Sequence, residues 1–392
     1  MSTPFLSTDF TFGVEFEFGI RFKKGLFPDY TRLGPGKIHS LIKETLILET
    51  GLELMTEAEI DHDSPPVFYQ NKDFQKIYQQ DLFNTWAIGT DTTISFRAEE
   101  HADRSSMFVE LELITPVMKF GPKALKEIDK MLTALKKHFE VIVNLSCGLH
   151  VHVGNGIEGL SFQPLQHLMA TIWTFEPQIL SLLRKSRNNG KYCGSLHERS
   201  LLGVYKFEGS LLDVLLSTSD ANEVVGMFDG YDSFCYMAFQ LEYLLQPFRH
   251  PVKRTIEFRA HEGSMDSEIV LNWASFVVEL VSWAHKINRQ DLKIFLSKHI
   301  DSKVSSIEDL FKEIGFPQST VEFYREKVKR LRKVEKKEAE EKRAIKKKKA
   351  EEKKARDAAS AAGEMVDSKD DNDSSSDNDS SIDTLESGSL VF

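Results

Sequence analysis

Cysteine is scarce in this sequence, with only three among 392 residues and no C-x-x-C pair. This scarcity argues against a disulfide framework and a cysteine-rich zinc motif, and it favours free thiols in a reducing, cytoplasmic compartment. No apolar run approaches the ~18 residues that a membrane-spanning helix needs, so we expect no membrane partner. The first residues also lack the basic and apolar stretches of a secretory signal.

Several common catalytic motifs are missing as well. The sequence contains no G-x-S-x-G and no complete phosphate-binding P-loop. Gly154, Gly156 and Gly159 match the glycine spacing of a dinucleotide fingerprint, but Pro164 places the start of the next helix too late. The expected acidic residue would be Glu176, which lies inside a helical pattern. These patterns argue against a serine hydrolase, a P-loop NTPase and a Rossmann dehydrogenase.

Composition divides the chain into three parts. With 41% hydrophobic and 28% charged residues, the chain can bury a sizeable core, which we predict within residues 1–320. Residues 321–356 read as a Lys/Glu-rich charged helix, and residues 357–392 are acidic and rich in Ser and Asp. Such a polar segment cannot bury enough apolar area to offset its chain entropy, so it predicts a disordered tail.

The charged C-terminal part is compatible with more than one kind of binding partner. Residues 325–356 contain 17 Lys and Arg against 7 Asp and Glu, so this part could bind nucleic acid, or Lys346–Lys349 could be a nuclear-import signal. The interspersed glutamates favour a solvated single helix instead, and the tail could hold a protein partner. The acidic body of the chain argues against a nucleic-acid platform.

Four segments alternate apolar and polar residues with a period of two, which predicts β-strands with one buried face. They are Thr11–Ile20, Phe108–Pro116, Cys147–Gly154 and Arg254–His261. Their polar positions are occupied by Glu15, Glu17, Glu110, Glu112, His150, His152, Glu257, Arg259 and His261. This set contains five carboxylates and no lysine, whereas a merely solvated face usually mixes Thr, Ser, Lys and Gln.

If the strands are neighbours, their carboxylates crowd one another. Two like charges ~4 Å apart repel by ~4 kcal/mol at an effective dielectric constant of ~20. Divalent cations would relieve this repulsion, and carboxylates with an imidazole suit Mg²⁺ or Mn²⁺ better than a structural zinc ion. Arg259 adds a planar fork that suits phosphate oxygens. A set of cross-strand ion pairs without any ligand stays open as the alternative.

Helical patterns between the strands would cover the apolar face of such a sheet. Pro122 opens an amphipathic pattern, and further helical patterns run over Leu165–Leu183 and Trp273–Ile287. The polar segment Ser186–Glu198 is long enough to be a functional loop, and it is our candidate for a lid.

Five blocks together resemble the amidoligase family, relatives of glutamate–cysteine ligase and glutamine synthetase. The blocks appear in the family's order and are Gly13–Glu17, Trp86–Ser95, Glu112–Pro116, Cys147–Gly154 and Thr255–Gly263. The resemblance covers about residues 11–290 and implies an α+β fold with a curved, mainly antiparallel sheet and helices packed on one face. It also implies that ATP and two or three Mg²⁺ (or Mn²⁺) bind on the concave face.

The resemblance further implies metal-binding roles, residue by residue. Glu15, Glu17 and Glu112 would be metal ligands, and His150 with Glu257 would complete a second metal position. These are residues of the polar face that the alternation pattern predicts independently.

Other residues would serve the substrates and the phosphates. Arg259 would hold the transferring phosphate, and His152 and His261 belong to the same motifs, with expected catalytic or cofactor-binding roles. Asp91 matches a family acid and would contact substrate or metal. Glu110 is not part of the family pattern.

The implied activity is ATP-dependent joining of a carboxylate to an amine through an acyl-phosphate. The two substrates would be small molecules or peptides, and the sequence does not identify them. A metal-dependent phosphohydrolase and a non-catalytic interaction protein of degenerate ligase fold remain open as alternatives.

Overall fold

The computed structural model describes residues 10–23, 35–59, 84–156, 158–187, 189–190, 192–205, 210–230, 236–244, 254–300 and 306–364. The strands in these residues are β1 (Thr11–Lys23), β2 (Leu54–Thr56), β3 (Trp86–Gly89), β4 (Ser106–Ile114), β5 (Met118–Lys119), β6 (Val141–Ile142), β7 (Gly148–Gly154), β8 (Asn189–Gly190), β9 (Cys193–Gly194), β10 (Phe239–Gln240) and β11 (Ile256–Glu262). The helices are α1 (Pro35–Thr50), α2 (Arg97–Ala102), α3 (Pro122–His138), α4 (Phe162–Ser181), α5 (Leu196–Arg199), α6 (Leu201–Val204), α7 (Leu211–Leu216), α8 (Ala221–Phe228), α9 (Ser267–Lys286), α10 (Arg289–Ser297), α11 (Ile307–Ile314) and α12 (Gln318–Glu364).

One sheet of nine strands organises the described residues. Its order is β10-β11-β7-β1-β4-β3-β2, and β5 and β6 also pair with β1. The pairs are antiparallel except for the parallel pair of β2 and β3. The mixed fold with a mostly antiparallel open sheet and many helices, which the sequence predicted at this coarse level, is therefore confirmed.

Strand β1 lies in the middle of the sheet because its alternating apolar residues bury one whole face. Phe12, Val14, Phe16, Phe18 and Ile20 are all almost fully buried. They belong to one core cluster with apolar residues of α3, α4 and α9. The helical patterns predicted from sequence thus cover the apolar face, which leaves the opposite face of the central strands for polar residues.

The C-terminal helix α12 begins inside the main compact unit. That unit extends to Arg332, beyond the boundary at residue 320 that composition suggests, because the first turns of α12 bury Tyr324 and Lys327. The helix continues to Glu364, so the first residues of the predicted disordered tail are helical. The rest of that tail lies outside the described residues.

The second unit, Lys333–Phe392, is described only for the remainder of α12. Ion pairs between residues four apart lie on its solvated surface: Lys337–Glu341, Lys347–Glu351 and Lys348–Glu352. Such pairs stabilise an exposed helix by ~0.3–0.5 kcal/mol each. Among the described helices, none combines the length and the hydropathy of a membrane span.

Candidate functional site

Strand register brings the predicted polar residues of four chain segments side by side. Three cross-strand pairs define the arrangement: Glu15 opposite His150, Glu17 opposite Glu112, and Glu257 opposite His152. Neighbouring strands lie ~4.8 Å apart, so directly opposed side chains on one face come into contact range. We call these six residues the carboxylate–histidine face.

His150 lies at the centre of this face, with 2% of its side chain exposed. Its Nε2 is 3.3 Å from Glu17 Oε1, and its Nδ1 is 3.4 Å from both Glu15 Oε2 and Glu257 Oε1. Two groups of possible metal-ligand atoms, each within 4.8 Å of one another, therefore share this imidazole: Glu15–His150–Glu257 and Glu17–Glu112–His150. A neutral imidazole offers one lone pair, so His150 can ligate a cation in only one group at a time.

Glu17 is a buried carboxylate whose charged form is disfavoured by its surroundings. Burial raises the pKa of Glu17; the nearby His150 lowers it, and the negative charge of Asp91 raises it further. The backbone N–H of Gly148 donates a hydrogen bond to Glu17 Oε2 at 2.5 Å. Asp91 itself accepts a hydrogen bond from the backbone N–H of Thr93 at 2.6 Å, which fixes the orientation of its carboxylate.

Glu257 has the opposite environment on the same face. Burial opposes its charge, but Arg259 and His152 outweigh burial and hold the pKa of Glu257 below its usual value. Arg259 Nη1 donates to Glu257 Oε1 at 2.5 Å, whereas the buried Glu257 Oε2 has no hydrogen-bond donor among the described residues. This orphaned oxygen fits a cation ligand, because a buried acceptor without a partner costs free energy.

Arg259 is held on three sides. Besides its bond to Glu257, its Nε donates to the Tyr192 carbonyl at 3.3 Å, and its guanidinium lies 5.0 Å from the centre of the Tyr236 ring. A cation over an aromatic face is attracted by the ring quadrupole. These contacts fix the orientation of the guanidinium at the edge of the carboxylate–histidine face.

His152 is also oriented by its neighbours. Its Nδ1 is 3.0 Å from the Thr255 hydroxyl, and its Nε2 is 2.9 Å from Glu15 Oε1. The edge of the ring packs against Tyr243, with 5.6 Å between ring centres. The ring therefore contacts one oxygen of the Glu15 carboxylate, while His150 faces the other.

The expectation that His261 shares the polar face is wrong. The register of β11 against β7 shifts between Phe258 and His261, so that His261 lies opposite Leu149 on the apolar face. Its ring packs against Trp273, and burial lowers the pKa of His261 to about 4. A β-bulge inserts one residue and moves every later side chain to the other face, which strict alternation cannot reveal.

The far end of the polar face is closed by a small apolar cluster. Ile94, Phe96, Phe108 and Cys147 pack together there. A Cβ atom on Gly19, which pairs with Glu110, would lie 2.6 Å from the Phe96 ring, so glycine is needed for this contact. Burial raises the pKa of the Cys147 thiol to about 12, which makes it a packing residue rather than a nucleophile.

Arg187 is a site residue that sequence reasoning missed. It ends the short 3₁₀ turn Lys185–Arg187, its exposed fraction is 8%, and its Nη2 donates to the Arg259 carbonyl at 3.2 Å. An arginine in a polar loop gives no periodic signal. The one feature of the sequence that relates to its position is the glycine at 148. A Cβ atom there would lie 2.5 Å from His150 Nε2 and 2.7 Å from Arg187 Nη2, so these two side chains need a glycine beside them.

Arg187 lies in the predicted lid segment Ser186–Glu198, of which residues 188 and 191 lie outside the described residues. The described part contains β8, β9 and the first three residues of α5. Glu176 fixes the start of α5 by accepting hydrogen bonds from the backbone N–H groups of Leu196 and His197 at 2.6 and 2.9 Å. A lid motion of this segment stays a prediction.

Comparison with known families agrees with this geometry. A family model described as "Putative amidoligase enzyme" matches residues 8–281, a range that includes the whole carboxylate–histidine face. No curated protein matches the chain in a sequence comparison. The family match covers well over half of the chain, and the chain therefore belongs to the amidoligase family of carbon–nitrogen ligases.

Proposed function

We propose that this protein is an ATP-dependent ligase that joins a carboxylate to an amine, forming an amide or isopeptide bond through an acyl-phosphate. The observation that carries the proposal is the pair of ligand groups that share His150, Glu15–His150–Glu257 and Glu17–Glu112–His150. Carboxylate oxygens with one imidazole suit Mg²⁺ or Mn²⁺. The proposal includes the finer fold assignment, a glutamine synthetase-like sheet with its nucleotide on the concave face.

The residues present fit divalent cations on two grounds. Glu257 Oε2 is buried without a donor among the described residues, and burial raises the pKa of Glu17, so both carboxylates would gain from a cation. When bound, such cations neutralise the negative oxygens that phosphoryl transfer brings together. Glu15, Glu17, Glu112, His150 and Glu257 would hold them.

The remaining side chains would orient the reactants. Arg259, fixed by Glu257 and Tyr236, would bind an oxygen of the transferring phosphoryl group. His152 would hold the Glu15 carboxylate in its ligating position. Asp91, at the rim beside Glu17, would contact a substrate.

The proposed reaction has two steps. An oxygen of the substrate carboxylate attacks the terminal phosphorus of ATP, and the bond to ADP breaks. The amine nitrogen then attacks the acyl carbon, phosphate leaves, and the amine loses a proton. Water would hydrolyse the acyl-phosphate between the steps, which is why we propose that segment 186–198, beyond its anchored first residues, closes over it.

Formation of ADP from ATP tests this proposal. The protein, pooled carboxylates, pooled amines and Mg²⁺ would be incubated with ATP, and products would be followed by ADP release and by mass spectrometry. We expect ADP formation that requires the carboxylate and the amine together, with an amide product, and we expect none from Glu17→Gln. ATP hydrolysis that needs neither pool would instead support the phosphohydrolase. Failure to bind nucleotide would support the non-catalytic interaction protein.

A further inference from the structure

A buried guanidinium lies beside the carboxylate–histidine face without a matching anion on its Nε. Arg187 is more than nine-tenths buried, and its Nε–H has no acceptor among the described residues. Its Nη2 donates one hydrogen bond to the backbone carbonyl of Arg259. The charge of Arg187 is partly balanced by the nearby Glu17, but a buried donor without an acceptor costs free energy. This arrangement favours a site in which an anion accepts from the Nε–H.

The position of Arg187 points to the ligand. Its Nη2 and His150 Nε2 both lie within 2.7 Å of the place that a Gly148 Cβ would take, so the two nitrogens lie close together over the Gly148 backbone. His150 Nε2 belongs to the ligand group with Glu17 and Glu112. An anion next to Arg187 would therefore also border the proposed cation position of that group. Phosphoryl oxygens are the ligands that combine a divalent cation with an arginine fork.

Arg259 is less available for the same task. Its Nη1 bonds Glu257, its Nε bonds the Tyr192 carbonyl, and its guanidinium face lies on Tyr236. Two of its donors are thus engaged within the protein. Arg187 has its Nε–H unused among the described residues.

The chain immediately before Arg187, residues 181–184, is held by contacts with the end of β11 and the start of α12. Glu262 accepts a hydrogen bond from the Arg184 N–H at 3.1 Å and pairs with Lys327 Nζ at 2.8 Å. Lys327 also donates to the Leu182 carbonyl at 3.1 Å, and Arg332 donates to the Ser181 carbonyl at 2.6 Å. Donors fixed before a ligand arrives bind it without a large ordering cost.

We propose that Arg187 binds the terminal, transferring phosphoryl group of the nucleotide, as a second arginine beside Arg259. This inference rests on the proposed ligase function. It assigns Arg187 to the phosphoryl group that leaves ADP, rather than to the phosphates that stay on ADP.

Nucleotide selectivity of the full-length protein tests the assignment. The Kd values of AMP-PNP and ADP, each with Mg²⁺, would be measured by calorimetry for wild type, Arg187→Gln, Arg187→Lys and Lys185→Gln. Lys185 is the matched control because it is exposed, lies in the same turn and loses the same charge. Thermal melts would establish that each variant is folded.

We expect Arg187→Gln to raise the Kd of AMP-PNP by about 10- to 100-fold, because a hydrogen bond to a charged group is lost, with no comparable change for ADP. Arg187→Lys should lose less affinity for AMP-PNP, since lysine keeps the positive charge but not the planar, bidentate guanidinium. Lys185→Gln should behave as wild type.

Equal losses for AMP-PNP and ADP, or no loss in folded variants, would overturn the assignment and leave Arg187 a structural residue. If Arg187→Gln does not fold, Arg187→Lys decides in the same way. Wild type that binds neither nucleotide would refute the proposed function itself, and this inference would fall with it.

Discussion

At the scale of single residues, two buried carboxylates on one sheet face have opposite electrostatic environments. Burial raises the pKa of Glu17 more than the nearby His150 and arginines lower it, and Glu17 accepts a hydrogen bond from the Gly148 N–H. Glu257, in contrast, is fully buried and paired with the mostly buried guanidinium of Arg259. Replacing the carboxylate by an amide should therefore destabilise the protein at Glu257 but not at Glu17.

We expect Glu17→Gln to leave the free energy of unfolding unchanged or higher in the presence of chelator. The amide oxygen can still accept from Gly148, and the charge that burial disfavours is gone. Glu257→Gln should lower it by about 3 kcal/mol, because Arg259 is left buried without its counter-charge. Urea denaturation of both variants measures the difference.

Glu110→Gln is the control for these two variants, because Glu110 lies on the same face and is half-buried. It should change stability little. Equal losses in Glu17→Gln and Glu257→Gln would show that Glu17 belongs to a structural ion-pair network, and the case for a cation beside it would be lost.

His261 should make folding sensitive to mild acid. Burial lowers its pKa from 6.5 to about 4, so between these values the unfolded chain binds a proton that the folded protein does not. Its contribution is fully present above pH 6.5 and is lost as pH falls towards 4. Between pH 7 and pH 5 this amounts to about 2 kcal/mol.

Comparing wild type with His261→Asn by urea denaturation at pH 7 and pH 5 isolates this contribution. The loss of stability between the two pH values should be about 2 kcal/mol smaller in the variant. Identical pH dependence of the two proteins would mean that His261 is protonated, or accessible to water, in the folded state.

Much of the site was predictable at this scale, because the alternation of polar and apolar residues along a strand can be read from the local sequence alone. The period of two put Glu15, Glu17, Glu112, His150 and Glu257 on one face, and the structure places them together. Two features were not predictable. The bulge that moves His261 depends on how β11 pairs with β7. The placement of Arg187 depends on contacts with distant parts of the chain.

At the scale of elements, the start of α12 is part of the folded body. Composition alone places residues 321–332 in the charged helix, because lysine, arginine and glutamate far outnumber the few residues there that become buried. Lys327 reaches Glu262 at the end of β11, and burial together with this pairing decides where the body ends. Tertiary contacts of this kind have no local signature.

Lys327→Met should destabilise the protein by about 3 kcal/mol, because the Glu262 carboxylate loses its partner while it remains mostly buried. Lys337→Met, an exposed change on the same helix, should cost less than about 0.5 kcal/mol. Urea denaturation of both proteins distinguishes them. Equal, small effects would show that the Glu262–Lys327 pair does not hold α12 in place.

Truncation gives a second view of the same element. A chain ending at Arg332 keeps Lys327 and Arg332 and should melt at the temperature of the full chain. A chain ending at Arg325 loses both anchors to the end of α4 and should melt at a clearly lower temperature. Matching melting temperatures for the two truncated chains would return the boundary to the position that composition predicts.

At the scale of the whole molecule, the fold leaves one polar face on an otherwise buried sheet. The helices α3, α4 and α9 cover the apolar side, and the central strands place carboxylates and imidazoles on the other. The family match identifies the chain as a member of the amidoligase family. The claim that depends most on the geometry is that the carboxylate–histidine face binds divalent cations together with a nucleotide.

Binding of Mn²⁺ in the presence of AMP-PNP, followed by the electron paramagnetic resonance signal of free Mn²⁺, tests that claim without knowledge of the substrates. We predict that wild type removes free Mn²⁺ from solution, that Glu17→Gln and Glu257→Gln bind it at least about tenfold more weakly, and that Glu110→Gln binds it as wild type does. Wild type that leaves Mn²⁺ free, or Glu17→Gln and Glu257→Gln variants that bind it equally well, would contradict the account.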